Sequence, residues 1–335
     1  MDFLRSKFDS LYDLIKYPLF YLTKKDAEIA HDLFILLSKV LTATKLERLV
    51  LDDKENYFKL PFGISSAAGF DKNAQVSPLI LKYLGFDRIV IGTVTGKPWP
   101  GNKRPRMKRD ILRKSLINII GWDNDGAKAV ANRVKSYKNH EVKITVSIGP
   151  TPEPKLSIKE KLKDLEETIK IFKDIPYVDR FEYCPSCPNI NISREENQEL
   201  LGEFSNFIKN EIGSKQDLYT KISPDLNEKE INKTIKETSS FVKGYVTTNT
   251  TTRHNYREGG GSGNILYAHS LETQKMFYNR LKETDKEIIA CGGIDSIEKI
   301  EERIFFEPQE RKEIQLLTSL IFEGPKLLRK LRSFL

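Results

Sequence analysis

Cysteine is scarce in this chain, with three among 335 residues. That excludes a small disulfide-stapled secreted scaffold and fits a reducing compartment. Histidine is nearly as rare, with His31, His140, His254 and His269 scattered through the sequence. No basic n-region with an apolar core and cleavage site opens the chain, so no signal peptide is expected. The longest apolar runs, such as Leu33–Leu37, are too short to span a bilayer, which leaves a soluble protein or one resting on a surface. No nucleic-acid motif accompanies the basic excess, which argues against a nucleic-acid partner. Nor does a G-x-G-x-x-G follow the first strand-like run, which argues against an open dinucleotide-binding sheet.

What is present is a charge balance of +8, from 55 Lys and Arg against 47 Asp and Glu. Part of it sits in Lys97–Lys114, which holds eight basic residues and one acid. Such a run is a solvated loop, an anion site or a seat for an anionic membrane surface.

Residues Met1–Leu51 read as helices. Phe8, Leu11, Leu14 and Ile15 fall at helical spacing, and Pro18 is expected to interrupt them. Thr23, with Asp26 three residues on, predicts the start of a second helix. That helix carries one apolar stripe through Ala30, Leu33, Leu37 and Val40 and another through Ala27, His31, Phe34 and Ile35. Two stripes predict burial on both sides or contact with something apolar: a hairpin packed on the main domain, or a lipid-surface platform with a tunnel mouth.

From Tyr57 the pattern alternates between strands and helices. Strand-like runs occur at Gly63–Ala67, Arg88–Thr93, Val142–Ile148, Arg180–Tyr183, Leu218–Ile222, Gly244–Thr248, Ile288–Cys291 and Ile314–Thr318. Eight β-then-α units predict an α/β fold, a closed (β/α)8 (TIM) barrel over residues 56–335 with a small helical extension over residues 1–55.

In a parallel barrel the carboxyl ends of the strands share one mouth, where the chemistry sits. The residues sent there are Asp71, Lys72 and Asn73; Thr93 and Thr95; Ser147; Cys184–Asn189; Lys221 with Ser223, Pro224 and Asp225; Thr248, Asn249 and Thr250; Gly292 and Gly293; and Thr318 and Ser319. The densest stretch is Phe181–Ile190, FEYCPSCPNI. Pro185 and Pro188 end its strand and turn the chain out as a stiff loop. We read Cys187 as a catalytic base and Asn189 as a substrate ligand. The C-x-x-C of Cys184 and Cys187 also admits a redox pair, a disulfide or half a zinc site. Zinc wants four ligands, and only Cys291 and the scattered histidines remain, so no metal is expected. Gly259–Gly263 and Cys291-Gly292-Gly293 follow the sixth and seventh strands, where glycine lets backbone N–H groups approach a phosphate.

Taken together, AAGFDKN, IGTVTGKPWPGNKRPR, SLINIIGWDNDG, SCPN, KISPDL, TTNTTTR, GGGSG, CGGI and QLLTSLIFEGP resemble, in order and spacing, the dihydroorotate dehydrogenase family. The resemblance runs from about Leu14 to Leu331. The N-terminal helices, with Ala30-His31, are similar to its membrane-associated, quinone-using class. It implies FMN held by Ala67, Ala68, Gly69, Lys72, Thr93, Ser147, Cys184, Lys221, Thr248, Asn249, Ser262, Gly263, Gly292, Gly293, Leu317 and Thr318. It implies dihydroorotate held by Lys72, Asn118, Asn189, Asn249 and Thr250, with Cys187 taking the C5 proton. His31 and Arg106 would line a quinone entrance. The location implied is the cytoplasm, or the inner face of the cell membrane through peripheral contact.

The chain also departs from the family. Cysteine rather than the membrane class's serine stands at 187. Cys184 and Ser147 replace asparagines, Trp122 a phenylalanine, Asp123 an asparagine and Leu317 a tyrosine. Phe305–Lys312 replaces a small-residue approach to the last strand. Two alternatives follow: a related flavin enzyme acting on another small cyclic substrate, or a flavin-binding protein without turnover. A Cys184–Cys187 disulfide would silence the base.

Overall fold

A computed structural model describes residues 2–45, 62–137, 142–185, 187–190, 194–310, 312–324 and 326–328. The boundary expected at residues 55 and 56 lies outside them.

The predicted barrel closes. Parallel strands β1 (Phe62–Ser66), β2 (Arg88–Val94), β5 (Lys143–Ile148), β6 (Val178–Tyr183), β7 (Asp217–Ile222), β8 (Gly244–Thr247), β10 (Glu287–Cys291) and β11 (Lys312–Leu316) form the wall, with β1 paired to both β2 and β11. Alternation along the strands sorts their side chains into two sets. Phe181, Tyr183, Leu218, Ile222, Ile288 and Ile314 join the large outer cluster. The alternate positions carry Arg180, Glu182, Tyr219, Lys221, Ile289, Glu313 and Gln315, all inside the barrel or at its ends. Arg180 pairs with Glu313 at 2.9 Å in a lower polar layer. Above it Glu182, Lys221 and Gln315 form an upper one.

Between these strands run α3 (Pro78–Leu84), α4 (Ala127–Lys135), α5 (Ile158–Phe172), α6 (Arg194–Ile212), α7 (Glu228–Thr238), α8 (Asn264–Leu281), α9 (Ile297–Phe305) and the short α10 (Thr318–Glu323). Their starts are written locally. Ser157 with Glu160 and Asn227 with Glu230 form capping boxes, satisfying N–H groups the helix leaves open. The large residues approaching the last strand are accommodated because Glu307 is buried and its carboxylate accepts from Ala290 N at 3.0 Å and Glu313 N at 2.7 Å. Phe305 points outward, 69% exposed.

One element is absent from the sequence reading. Strands β3 (Met107–Asp110), β4 (Ser115–Asn118) and β9 (Gly260–Gly263) make an antiparallel sheet over the mouth. The glycine run expected as a loop is therefore partly a strand, with Gly260 opposite Asn118 and Ser262 opposite Leu116. The basic run is largely consumed in ion pairs and hydrogen bonds to the chain itself: Arg104 to Asp32, Arg109 to Thr23 and Ala27, Lys114 to Glu323.

The N-terminal extension corrects two expectations and decides a third. Helix α1 (Asp2–Leu22) continues through Pro18. Proline removes one hydrogen bond, to the carbonyl four residues back at Leu14, and Leu14 is 72% exposed. Thr23 does not cap α2 (Glu28–Ala43): Ala27 holds that position without a side-chain bond, and Thr23 Oγ1 donates back to Leu19 O at 2.8 Å. Of the two outcomes expected for α2, burial on both sides is not the one found. Ala27 and Ile35 of one stripe are buried, whereas Leu33, Leu37 and Val40 of the other are exposed. The extension is tied down by Tyr12 Oη donating to Ile321 O at 2.6 Å and by Phe20 packed with Leu116 and Phe322. Among the described residues no helix is long and apolar enough to cross a membrane.

Candidate active site

A cavity of about 600 Å³ runs from between α1 and α2 to the open end of the barrel. It is lined by every residue the resemblance assigns to flavin, substrate or quinone except Ser147 and Arg106, which bond to the lining residues Thr93 and Glu28.

On the side of β6 and the small sheet lies the amide set. Asn189 Nδ2 donates to Asn118 Oδ1 at 2.9 Å, and Asn118 Nδ2 donates to Gly260 O at 3.1 Å. Asn189 Oδ1 is buried, with no hydrogen-bond partner among the described residues. A buried acceptor left open costs about 1–3 kcal/mol, so this atom is suited to a ligand donor. Asn249 Nδ2 faces Cys184 Sγ at 3.6 Å, and Asn249 Oδ1 accepts from Thr250 N at 2.8 Å. The turn that carries Asn249 and Thr250 is braced from its neighbour. Asp225 accepts from Thr251 Oγ1 at 2.6 Å and Thr252 N at 2.7 Å, which locks the KISPDL turn to the TTNTTTR turn.

Cys187 is half-buried, and its sulfur is bonded to no other cysteine. Burial, with Cys184 nearby, raises its pKa above the usual value; the Asn189 backbone N–H and the Trp122 side chain favour the thiolate and pull the other way. Trp122 is buried at φ 62°, and its ring lies where a side chain on Gly149 would fall, 2.4 Å from that Cβ position.

On the opposite side Thr93 Oγ1 and Ser147 Oγ lie 3.1 Å apart, and Ser262 Oγ and Thr318 Oγ1 lie 2.9 Å apart. Ala67 is fixed by its N–H to Leu316 O and Gly69 by its N–H to Gly92 O. Leu317 packs against Ala67, Val246 and Cys291 inside the barrel. Lys221 lies beneath, 3.3 Å from Glu182 and 3.1 Å from Gln315 Oε1. Burial opposes its charge, but Cys291 and the Glu182 carboxylate beside it more than offset that, so the ammonium is kept.

Gly263, Gly292 and Gly293 have φ of 81°, 117° and 70°, a region closed to most side chains. A Cβ on Gly292 would meet Ser270 Oγ at 2.8 Å, and one on Gly263 would meet Lys114 O at 2.3 Å. Gly263 also opens α8, so its loop combines bare backbone with a helix N-terminus, which suits an anion.

The α2 side is ionic at its inner end. Lys72 Nζ is 2.6 Å from Asp123 and 3.5 Å from Glu28. Arg106, expected to line an entrance, is only 5% exposed and is occupied by Glu28 at 2.7 Å, by Asp123 and by Pro100 O. His31 lies between Phe34 and Phe70, and burial, then the Lys72 charge, lowers its pKa to about 4, so it is neutral near pH 7.

Glu182, Gln315, Glu28 and the donors facing Cys187 were not expected from the sequence. Glu182 was accessible in principle, as the one polar residue between outward-facing Phe181 and Tyr183.

A parallel barrel that gathers a thiol, amides, lysines and bare glycine backbone at one mouth has the layout of a barrel enzyme. Comparison with known proteins narrows this. The family model for dihydroorotate dehydrogenase matches residues 51–335, and the chain belongs to that family. It is 33% identical to dihydroorotate dehydrogenase (quinone) of Natronomonas pharaonis, over 95% of this chain and 92% of that protein. The corresponding protein of Hamiltonella defensa is 32% identical over 96% and 98%. The Eimeria tenella enzyme crystallised with ferulenol superposes with a TM-score of 0.78 at 23% identity, over 95% of this chain and 93% of that one, and so shares its fold. Membership of the family implies a flavin cofactor.

Proposed function

We propose that this protein oxidises dihydroorotate to orotate, the redox step of pyrimidine (UMP) biosynthesis, with FMN as cofactor and a quinone as acceptor. The observation that carries the reading is the convergence of Cys187, Lys72 and the amides of Asn118, Asn189 and Asn249 on one cavity, with the buried Asn189 Oδ1 open to a donor.

The residues present fit FMN. Gly263, Gly292, Gly293, Ser262 and Thr318 would receive its phosphate. Ala67, Ala68, Gly69, Thr93, Ser147, Cys184, Lys72, Lys221, Thr248, Asn249 and Leu317 would surround its ring system. When bound, FMN supplies a hydride acceptor. The chain does the rest. The amides of Asn118, Asn189 and Asn249 match a ring of alternating N–H and C=O groups because each amide both donates and accepts. Thr250 adds a hydroxyl, and Lys72 offers a cation to the substrate carboxylate. Cys187 Sγ, as thiolate, takes the proton from C5. Lys221 holds positive charge beneath the mouth, where negative charge develops.

For the acceptor, the cavity's apolar end between α1 and α2 admits a hydrophobic quinone past neutral His31, with Arg106 behind the wall. Outside the cavity lining the two helices expose Leu14 at 72%, Leu22 at 79% and Leu36 at 58%. Exposed apolar side chains on both helices support peripheral seating on a membrane, from which the quinone would enter. Residues 1–55 would be the membrane and quinone segment, and residues 56–335 the FMN barrel.

The purified yellow protein should bleach when dihydroorotate is added without oxygen and recover its colour with a short-chain quinone. Bound FMN that stays oxidised at high dihydroorotate across pH would overturn the assignment.

A further inference from the structure

Lys72 is not an idle cation waiting for a substrate. Asp123 lies 2.6 Å from its ammonium, and Glu28, 1% exposed, lies 3.5 Å away. Arg106 bridges the same two carboxylates, holding Glu28 through Nε at 2.7 Å and Nη2 at 3.2 Å while also donating to Asp123. The cluster therefore sets two anions, Glu28 and Asp123, against Lys72, Arg106 and, 3.4 Å from Glu28, Arg104. Of the two anions, Asp123 is the nearer to Lys72, at 2.6 Å against 3.5 Å for Glu28. A substrate carboxylate arriving at Lys72 puts a further anion against an ammonium already paired closely with Asp123. It must share that cation or displace Asp123 onto Arg106. An uncharged ring of the same shape meets no such competition.

From this geometry we infer that Asp123 is a specificity-determining residue: it holds Lys72 and weakens binding of carboxylate-bearing rings relative to neutral ones. The inference rests on the dihydroorotate reading and deepens it. Asparagine at 123 keeps the size and an acceptor for Lys72 but removes the charge. Arg106 keeps both its bonds to Glu28, so the cluster stays satisfied.

The test uses flavin-loaded wild type, Asp123→Asn and Asp123→Glu, titrated with orotate and with its neutral carboxamide while the flavin absorbance is followed. Asp123→Asn should bind orotate at least tenfold more tightly, leave the carboxamide within twofold, and differ from Asp123→Glu, which should track wild type. If Asn at 123 does not fold, Asp123→Ser makes the same comparison. An orotate affinity that moves less than twofold, or that moves together with the carboxamide, overturns the role of Asp123 alone. Orotate that perturbs the flavin of no variant overturns the substrate assignment and this inference with it.

Discussion

The protonation state of Cys187 gives the sharpest test of the chemistry. A base must be ionised to accept a proton, and burial holds this thiol above its usual value near 9. At pH 7 the thiolate is then at most about one part in a hundred. Because the pKa is raised, the active fraction is small below it and grows about tenfold per pH unit on approach. Anaerobic rapid mixing of the flavin-loaded protein with saturating dihydroorotate should therefore show a flavin-reduction rate that climbs about a hundredfold from pH 7 to pH 9. Cys187→Ala should lower the rate about 10²- to 10⁴-fold with flavin binding intact, the usual range for loss of a general base. Cys187→Ser should displace the rise to higher pH, since a hydroxyl ionises less readily than a thiol. A reduction rate that is flat between pH 7 and pH 9, or Cys187→Ala at more than half the wild-type rate, would refute the thiolate as base.

Two further outcomes follow from the barrel itself. Glu182→Ala removes the carboxylate 3.3 Å from buried Lys221 and should lower stability by about 3–5 kcal/mol in urea unfolding, whereas a loss below about 1 kcal/mol would show that Gln315 alone satisfies the ammonium. Gly292→Ala should weaken FMN far more than riboflavin, since its φ of 117° and the 2.8 Å approach to Ser270 Oγ distort the loop assigned to the phosphate; equal losses for both ligands would reassign that loop.

Much of the barrel was legible because parallel strands buried on both faces leave apolar runs of recognisable length. The mouth was legible for a related reason: in this topology the order of residues after each strand fixes which end they occupy. The β3–β4–β9 sheet was not legible, since Gly260–Gly263 has no strand signature of its own and pairs only because β4 lies across the mouth. Pro18 misled because a proline disturbs a helix least where the affected carbonyl can face water.

By itself the sequence determined the repeating units, the closure they imply and the residue types gathered at the open end, because local periodicity and chain order carry that information. Tertiary structure alone decided the partnerships. Lys72 belongs to Asp123, Arg106 to Glu28 and Lys221 to Glu182, across separations of 51, 78 and 39 positions. Electrostatic pairing acts through space, and no local pattern records which distant charge the folded chain brings within reach.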